Sequence, residues 1–131
     1  MVETIHRHEN PTGAPQPASR YSQLVAVEPE RRWVYLSGQV GLRPDGGLAE
    51  DAAGQMHQAW ANLRALLAAE GLGPEHLVRI NAFITRRDLT PLFREARDAA
   101  LEGAAPASTL LVVAGLAHPD WVVEIEAVAA A

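Results

Sequence analysis

Residues 122–129 read VVEIEAVA, and this stretch near the C-terminus decides the fold class. Most of its residues are apolar and several are β-branched, which is typical of a buried β-strand. Because side chains alternate across a strand, Glu124 and Glu126 share one face of it. Two carboxylates in so apolar a strand are costly unless something pairs or hydrates them. Two interpretations stay open: a salt bridge to arginine across an interface, or a carboxylate that holds a water or proton in a cleft.

A long amphipathic helix is predicted upstream of this strand, over residues 52–70. Met56, Trp60 and Leu63 follow the spacing of one helical face. Gly71 stands where a residue in the left-handed conformation ends many helices. The pattern therefore predicts a helix that packs one face against the rest of the molecule.

Further patterns complete the order of elements. Thr90 and Pro91 begin a second predicted helix that ends near Leu101. The turn at residues 28–30 predicts that the strands on either side of it form an antiparallel hairpin. Runs of apolar and β-branched residues predict the strands, near 4–7 and over 21–27, 32–37, 77–85, 108–116 and 121–128.

This order predicts an α+β fold in which two helices cover one face of a six-stranded mixed sheet. No element remains to cover the other face. The strands over 78–84, 110–113 and 122–128 nevertheless carry apolar residues on both faces. Such a sheet needs a second apolar surface, and another copy of the same chain is the simplest source. We therefore expect a homo-oligomer.

The composition excludes several kinds of chemistry. A length of 131 residues predicts one domain over residues 1–131, with an irregular lead-in over residues 1–20. The chain contains no cysteine, and all 11 of its basic residues are arginine. Disulfides, cysteine nucleophiles, thiolate metal sites and lysine Schiff bases are therefore excluded. Carboxylate, hydroxyl, imidazole, guanidinium and backbone groups remain, and we expect no cofactor.

Charge and hydropathy limit the partners and the location of the protein. The net charge is −5, so we expect no basic stripe for nucleic acid. No apolar run approaches the ~20 residues that cross a bilayer, so we expect no membrane segment. The first ten residues are polar and charged, unlike a signal peptide, and we expect a cytoplasmic protein.

The histidines are weak candidates for metal or acid–base chemistry. His6 and His8 have the spacing that places two imidazoles on one side of a strand. No third ligand is nearby, and a solvated N-terminal segment is the favoured interpretation. His57 adjoins the core position Met56 and is expected at the surface or at an interface. His118 precedes Pro-Asp and is expected to be a turn residue, so no metal site is predicted.

Residues 37–41 read SGQVG and follow a predicted strand. The segment lacks the glycine pattern of a nucleophile elbow and that of a dinucleotide-binding fingerprint. Two interpretations stay open. It is a bulge or tight turn, or it is a place where ligand atoms approach the backbone closely, which glycine permits.

Several of these segments together resemble the reactive intermediate deaminase family, also called RidA, YjgF or L-PSP. The similarity runs from about Tyr21 to Ala129, and the SGQ segment and the terminal EIEA segment form its most specific pair. The motifs that carry the resemblance are Tyr21-Ser22, residues 34–41 (VYLSGQVG), Asp45-Gly46, Asn62-Leu63 with Gly71-Leu72, and residues 123–129 (VEIEAVA).

The resemblance implies a chorismate-mutase-like fold and a homotrimer. In such a trimer the sheets form a central barrel, the helices lie outside, and small-molecule clefts lie between subunits. The resemblance also implies hydrolysis of small enamines and imines, such as 2-aminoacrylate, to ketoacids and ammonia. By motif match, Glu124 is the catalytic carboxylate beside the attacking water. The matching substrate-binding residues are Tyr21, Ser37, Gly38 and Gln39.

One position departs from the family pattern. The family binds the substrate carboxylate with an arginine in a segment P-A-R-S/T, whereas residues 106–109 here read PAST, so Ser108 takes its place. Serine offers one hydroxyl instead of a charged fork of donors. One hypothesis is a deaminase whose substrate is neutral at that end, or has its carboxylate bound by Arg20. The other is a family member that binds a small metabolite or a partner protein without turnover.

Overall fold

The computed structural model describes residues 6–131. The order of its elements agrees with the predicted order. Residues 4 and 5 of the first predicted strand lie outside the described residues. No helix in the described part is long and apolar enough to cross a bilayer. In chain order the elements are β1 (His6–Glu9), β2 (Leu24–Val27), β3 (Trp33–Gln39), α1 (Ala52–Ala69), β4 (Leu77–Ile84), α2 (Thr90–Leu101), β5 (Ala107–Val112) and β6 (Val123–Ala130).

The strands form two sheets. A four-stranded mixed sheet has the order β3-β6-β4-β5. In it β4 and β5 run parallel, and the other neighbours are antiparallel. β1 and β2 form a separate antiparallel pair. The strand that carries Glu124, β6, is therefore an inner strand, and β3 and β5 are the two edges.

Two predictions about this sheet are wrong. The single six-stranded sheet is wrong because β1 and β2 form their own sheet. The hairpin is wrong because β2 pairs with β1 and β3 pairs with β6, while Glu30 turns the chain between β2 and β3 with a φ of 61°. Within the lead-in over residues 1–20, β1 agrees with the short strand predicted near residues 4–7. Alternation of side chains identifies a strand but does not identify its partner.

Local capping explains the bounds of the long helix α1. The Asp51 side chain accepts a hydrogen bond from the Gly54 N–H at 2.7 Å and so caps the N-terminus. At the other end Gly71 has a φ of 73°, as predicted. The Leu72 N–H then turns back to the Leu67 carbonyl at 2.9 Å, which satisfies a carbonyl that the helix leaves free.

The core lies between the two helices and one face of the four-stranded sheet. Trp60 of α1 and Phe93 of α2 are buried, with their ring centroids 5.9 Å apart. Below them the strands contribute alternate residues, in agreement with the predicted alternation, except that a register shift between Leu77 and Arg79 interrupts the pattern in β4. The buried side chains of the sheet are Leu36, Leu77, Ile80, Ala82, Ile84, Val123, Ile125, Ala127 and Ala129.

The opposite face of the sheet carries neither helix, and we call it the open face. Tyr35 of β3 is 78% exposed there, and Leu111 of β5 is 49% exposed. Phe83 and Val128, on the inner strands, are half-buried on the same face. Exposed apolar side chains of this kind are typical of an interface between proteins.

Candidate functional site

Glu124 lies on the open face of the sheet. It pairs with Phe83 of β4, while its neighbours Val123 and Ile125 point into the core. Its carboxylate occupies the space above Gly38. A Cβ atom at position 38 would overlap Oε2 of Glu124 and would lie 2.8 and 2.9 Å from its Cδ and Cγ. The structure therefore brings together the predicted catalytic carboxylate and the predicted SGQ segment, because glycine leaves room for the carboxylate.

Strand β3 is irregular at Ser37 and Gly38. Between Leu36 and Gln39 it advances by one residue more than its partner β6 does, which is a β-bulge. Of the two interpretations of this segment, the bulge is therefore confirmed. Ser37 is exposed, and the Gln39 Nε2 donates a hydrogen bond to the Ser37 carbonyl at 3.1 Å. The bulge presents this polar segment beside the Glu124 carboxylate.

Gln55 of α1 holds the start of β6, and the sequence analysis missed it. Its side chain is buried; Nε2 donates to the Asp120 carbonyl and Oε1 accepts from the Val122 N–H, both at 3.0 Å. The backbone of Gly41 lies against the same residue, since a Cβ at position 41 would be 2.6 Å from the Gln55 Cα. A buried amide on an apolar helix face is the signal that indicates such a role. Gln55 thereby positions the strand two residues before Glu124.

Asn62 holds the loop that follows the SGQ segment. Its Nδ2 donates to the Val40 carbonyl at 3.2 Å and to the Leu42 carbonyl at 2.7 Å. The Gln58 Nε2 donates to the Asn62 Oδ1 at 2.9 Å and fixes the orientation of the amide. Asn62 belongs to a motif that carried the resemblance, but the sequence analysis gave it no role. The structure identifies it as an anchor of this loop.

Tyr21 and Ser108 belong to a second group, at the start of β5. The Ser22 N–H donates to the Pro106 carbonyl at 3.2 Å. The Ser22 hydroxyl donates to the Ala105 carbonyl. These contacts fix the backbone next to Tyr21 beside the segment that leads into Ser108. Two predicted substrate-binding residues are therefore brought near each other.

The two groups are separate within one copy of the chain. The edges β3 and β5 of the sheet are roughly 14 Å apart at about 4.8 Å per strand spacing. Ser108 pairs with Ile80 and so lies on the helix-covered side, whereas Glu124 lies on the open face. Arg20 is exposed in the turn before Tyr21. Within one copy, the members of each group lie close together, but the two groups lie apart.

Glu126, the second glutamate of β6, lines a different part of the open face. Its Oε1 accepts a long hydrogen bond of 3.5 Å from the Asn81 Nδ2. Arg79 donates to the Thr109 hydroxyl at 2.9 Å. No ion pair joins Glu126 to an arginine within residues 6–131, so a salt bridge across an interface stays a prediction. The polar groups around Glu126 line a cavity of about 330 Å³ together with Tyr35 and Ser37.

The structure changes one of the histidine predictions. His6 is not solvated: it is buried in β1, and its Nε2 donates to the Ala130 carbonyl at 3.1 Å. His8 is exposed. His57 lies at the surface of α1, and His118 accepts from the N–H two residues later at 3.1 Å, both as predicted. Among the described residues, no three His, Asp or Glu side chains lie close enough together to hold a metal ion.

Known proteins resemble this chain over nearly its whole length. A protein of Mus musculus named 2-iminobutanoate/2-iminopropanoate deaminase is 33% identical over 135 residues, which cover 98% of this chain and 94% of the mouse protein. Protein DfrA of Myxococcus xanthus is 34% identical over 118 residues, which cover 88% of each protein. The similarity therefore extends well beyond the SGQ and EIEA segments.

Solved structures resemble the fold. YyfB, a Rid-family protein of unknown function from Yersinia pestis, superposes with a TM-score of 0.88 at 28% identity, over 98% of this chain and 100% of its own. RidA from an Antarctic Psychrobacter superposes with a TM-score of 0.71 at 31% identity, over 94% of this chain and 98% of its own. The family model described as Endoribonuclease L-PSP matches residues 11–131. The chain therefore belongs to the RidA/YjgF/L-PSP family.

Proposed function

We propose that this protein hydrolyses a small imine or enamine to a carbonyl compound and ammonia, with Glu124 as the catalytic carboxylate. The observation that carries the proposal is the Glu124 side chain above Gly38. It is half-buried, and no group in the described part of the chain donates a hydrogen bond to it. Its free lone pairs suit it to accept a proton from water. Family membership, with relatives that are named deaminases, supports this chemistry.

The reaction needs only water and one proton-transferring group. The water oxygen attacks the imine carbon while the Glu124 carboxylate takes a proton from that water. The same proton is then delivered to the nitrogen. The new hydroxyl group then also gives its proton to the nitrogen, the C–N bond breaks, ammonia leaves, and the carbon retains the oxygen as a carbonyl. An enamine enters the same sequence once its β-carbon has been protonated.

The proposal also assigns the complete cleft to two copies of the chain in a homotrimer. Glu124 and Gly38 lie toward one edge of the sheet, and Tyr21 and Ser108 lie at the other. A neighbouring copy supplies the missing half when its β5 edge approaches the β3 edge. The apolar side chains exposed on the open face support such an assembly, because they need cover. Light scattering should give three times the mass of a single chain, which is 14.1 kDa.

Ser108 indicates which substrates this cleft accepts. A charge-assisted arginine clamp on a partly buried carboxylate contributes about 2–5 kcal/mol to binding. Ser108 replaces that clamp with a hydroxyl, which suits a neutral polar group. We therefore propose that the substrate is an imine or enamine that lacks a carboxylate at the end that meets Ser108. Arg20, exposed beside Tyr21, is the alternative cation for an anionic substrate.

Ammonia release from freshly generated imines, with and without a carboxylate, tests the proposal. Wild type should hydrolyse a neutral imine, and Glu124→Gln should lose about 100-fold or more of that rate. Glu126→Gln is the matched control, because it changes the other glutamate of the same strand face, and it should retain the rate. Ser108→Arg should gain activity on 2-iminopropionate, and Arg20→Gln should leave neutral substrates unaffected. A wild-type rate no faster than buffer on every imine would refute the enzymatic function.

A second function is favoured by the same serine. Without the clamp, the cleft can bind a small metabolite without turnover. In that case wild type consumes no imine, while small oxo compounds raise its melting temperature. Loss of that shift in Glu124→Gln would place the ligand in the same cleft.

A further inference from the structure

Arg97 of α2 is an unusual residue for its position. It is 4% exposed, although arginine is rarely buried to this extent. Asp98 neutralises its charge, with Nε and Nη2 of Arg97 each 3.0 Å from the same carboxylate oxygen. The remaining nitrogen, Nη1, donates a long hydrogen bond of 3.4 Å to the Ser19 hydroxyl. One buried guanidinium therefore connects α2 to the irregular segment that carries Tyr21.

Ser19 is part of the turn that orients Tyr21. The Tyr21 N–H donates to the Ser19 carbonyl at 3.0 Å. The Tyr21 hydroxyl accepts from the Ala18 N–H at 3.3 Å, so the phenol ring closes over the same turn. The backbone of Ser22 is tied to the start of β5. A contact that fixes Ser19 therefore also fixes the turn that leads from Ser19 to Tyr21, the predicted substrate-binding residue.

The stability of the fold does not by itself require an arginine at position 97. An apolar side chain of similar length fills such a space without the desolvation cost of a charge, and replacing buried ion pairs by apolar residues is often neutral or stabilising. A guanidinium instead fixes geometry, because its donors are rigidly arranged. Arg97 therefore fits a role in orientation better than a role in core packing.

We propose that Arg97 is a positioning residue that holds the Ala18–Tyr21 turn through Ser19 and thereby places Tyr21 at the cleft. The inference rests on the proposed function only for the role of the cleft. The anchoring itself is independent of any activity. Arg97 does not touch the reacting atoms in this scheme. It acts through the turn.

Trypsin provides a readout of the anchoring. The chain has no lysine, so trypsin cuts only after arginine, and the Arg20–Tyr21 bond lies in the anchored turn. Arg97→Met should speed cleavage after Arg20 about two- to tenfold, the effect expected from losing one long hydrogen bond. Ser19→Ala should act in the same direction, and it serves as the second variant if Arg97→Met folds poorly. Arg94→Met, an exposed site on the same helix, is the matched control and should leave the cleavage rate unchanged.

Kinetics on the best imine found for the wild type provide the second readout. Arg97→Met should raise KM several-fold and change kcat little, because a misplaced Tyr21 weakens substrate binding. Arg97→Lys should restore part of the loss. Cleavage after Arg20 at the wild-type rate in both Arg97→Met and Ser19→Ala would overturn the anchoring. Faster cleavage with an unchanged KM would overturn the link to the cleft. If wild type hydrolyses no imine, the proposed function fails while the trypsin result still decides the anchoring.

Discussion

Position 38 is a glycine, and its lack of a side chain leaves room for the Glu124 carboxylate. The carboxylate lies where a Cβ atom would otherwise be, and the bulge at Ser37 and Gly38 brings the backbone to that point. Glycine therefore has a steric role here rather than a conformational one, since the bulge does not require a positive φ at Gly38. The proposed chemistry therefore depends on a residue that has no side chain.

Gly38→Ala should reduce activity much more than stability. The added Cβ overlaps the end of a flexible side chain, so Glu124 rotates away at a cost of about 1 kcal/mol. With the carboxylate displaced, kcat/KM should fall about tenfold or more. Urea unfolding and ammonia release measure the two effects. Gly13→Ala is the control, because nothing lies within 4 Å of a Cβ there. A normal kcat/KM in Gly38→Ala would show that the position of the carboxylate does not matter.

At the scale of elements, α1 organises the two strands that carry Glu124 and the SGQ segment, which form one half of the proposed cleft. Gln55 holds the start of β6, and Asn62 holds the loop after β3. The two residues are seven apart and so lie on the same face of the helix, two turns from each other. A single helix therefore sets the distance between the SGQ segment and Glu124.

Gln55→Glu should destabilise the fold at the start of β6. The substitution preserves the shape and the acceptor for the Val122 N–H, but it removes the donor to the Asp120 carbonyl. It also places a carboxyl group in a buried position. The free energy of unfolding should fall by about 1–3 kcal/mol in urea titrations at neutral pH. Gln16→Glu, at an exposed site, should leave it unchanged, and equal stability of the two variants would contradict the role of Gln55.

The side chain of His6, which can titrate, connects the β1–β2 pair to the end of β6 through its hydrogen bond to the Ala130 carbonyl. Burial lowers the pKa of His6 below its ordinary value of 6.5, with smaller contributions in the same direction from His8 and His76. The hydrogen bond to the Ala130 carbonyl opposes this shift. The folded state therefore resists protonation of His6 more than the unfolded state does.

His6→Gln should flatten the pH dependence of stability on the acidic side. Because the folded pKa lies below the unfolded one, the contribution of His6 is fully present above about pH 6.5 and is lost as pH falls through the folded pKa. Urea unfolding at pH 7.5 and at pH 5 measures the difference. His57→Gln, on the surface of α1, is the control and should retain the wild-type dependence. An unchanged slope in His6→Gln would contradict the assignment.

Local patterns predict these elements well because each pattern is a property of a few neighbouring residues. The spacing around Trp60 and the cap at Gly71 predict α1 closely, and alternation predicts β4 and β6. Pairing depends on residues far apart in the chain, so the hairpin and the six-stranded sheet were not predictable in this way. The same holds for Gln55 and Arg97, whose roles come from contacts across 67 and 78 positions. Glu124 and Gly38 were identified through the family motifs.

At the scale of the whole molecule, the open face and the divided cleft indicate the same requirement. Tyr35 and Leu111 leave apolar surface exposed in one copy. Glu124 and Ser108 lie on opposite sides of the sheet, so one copy cannot bring both against one small substrate. A trimer in which each cleft takes one half from each of two neighbours meets both needs.

Complementation between two impaired variants tests a cleft completed by two copies most directly. Glu124→Gln and Tyr21→Ala are unfolded together in equal amounts and refolded, and ammonia release from the best imine is measured. If each cleft draws Glu124 from one copy and Tyr21 from its neighbour, roughly a quarter of the clefts in the mixture combine two intact halves. At a substrate concentration below the wild-type KM, the mixture should then recover about a quarter of the wild-type rate, while each variant alone stays well below that rate. No recovery in a mixture that has formed mixed trimers would contradict the shared cleft.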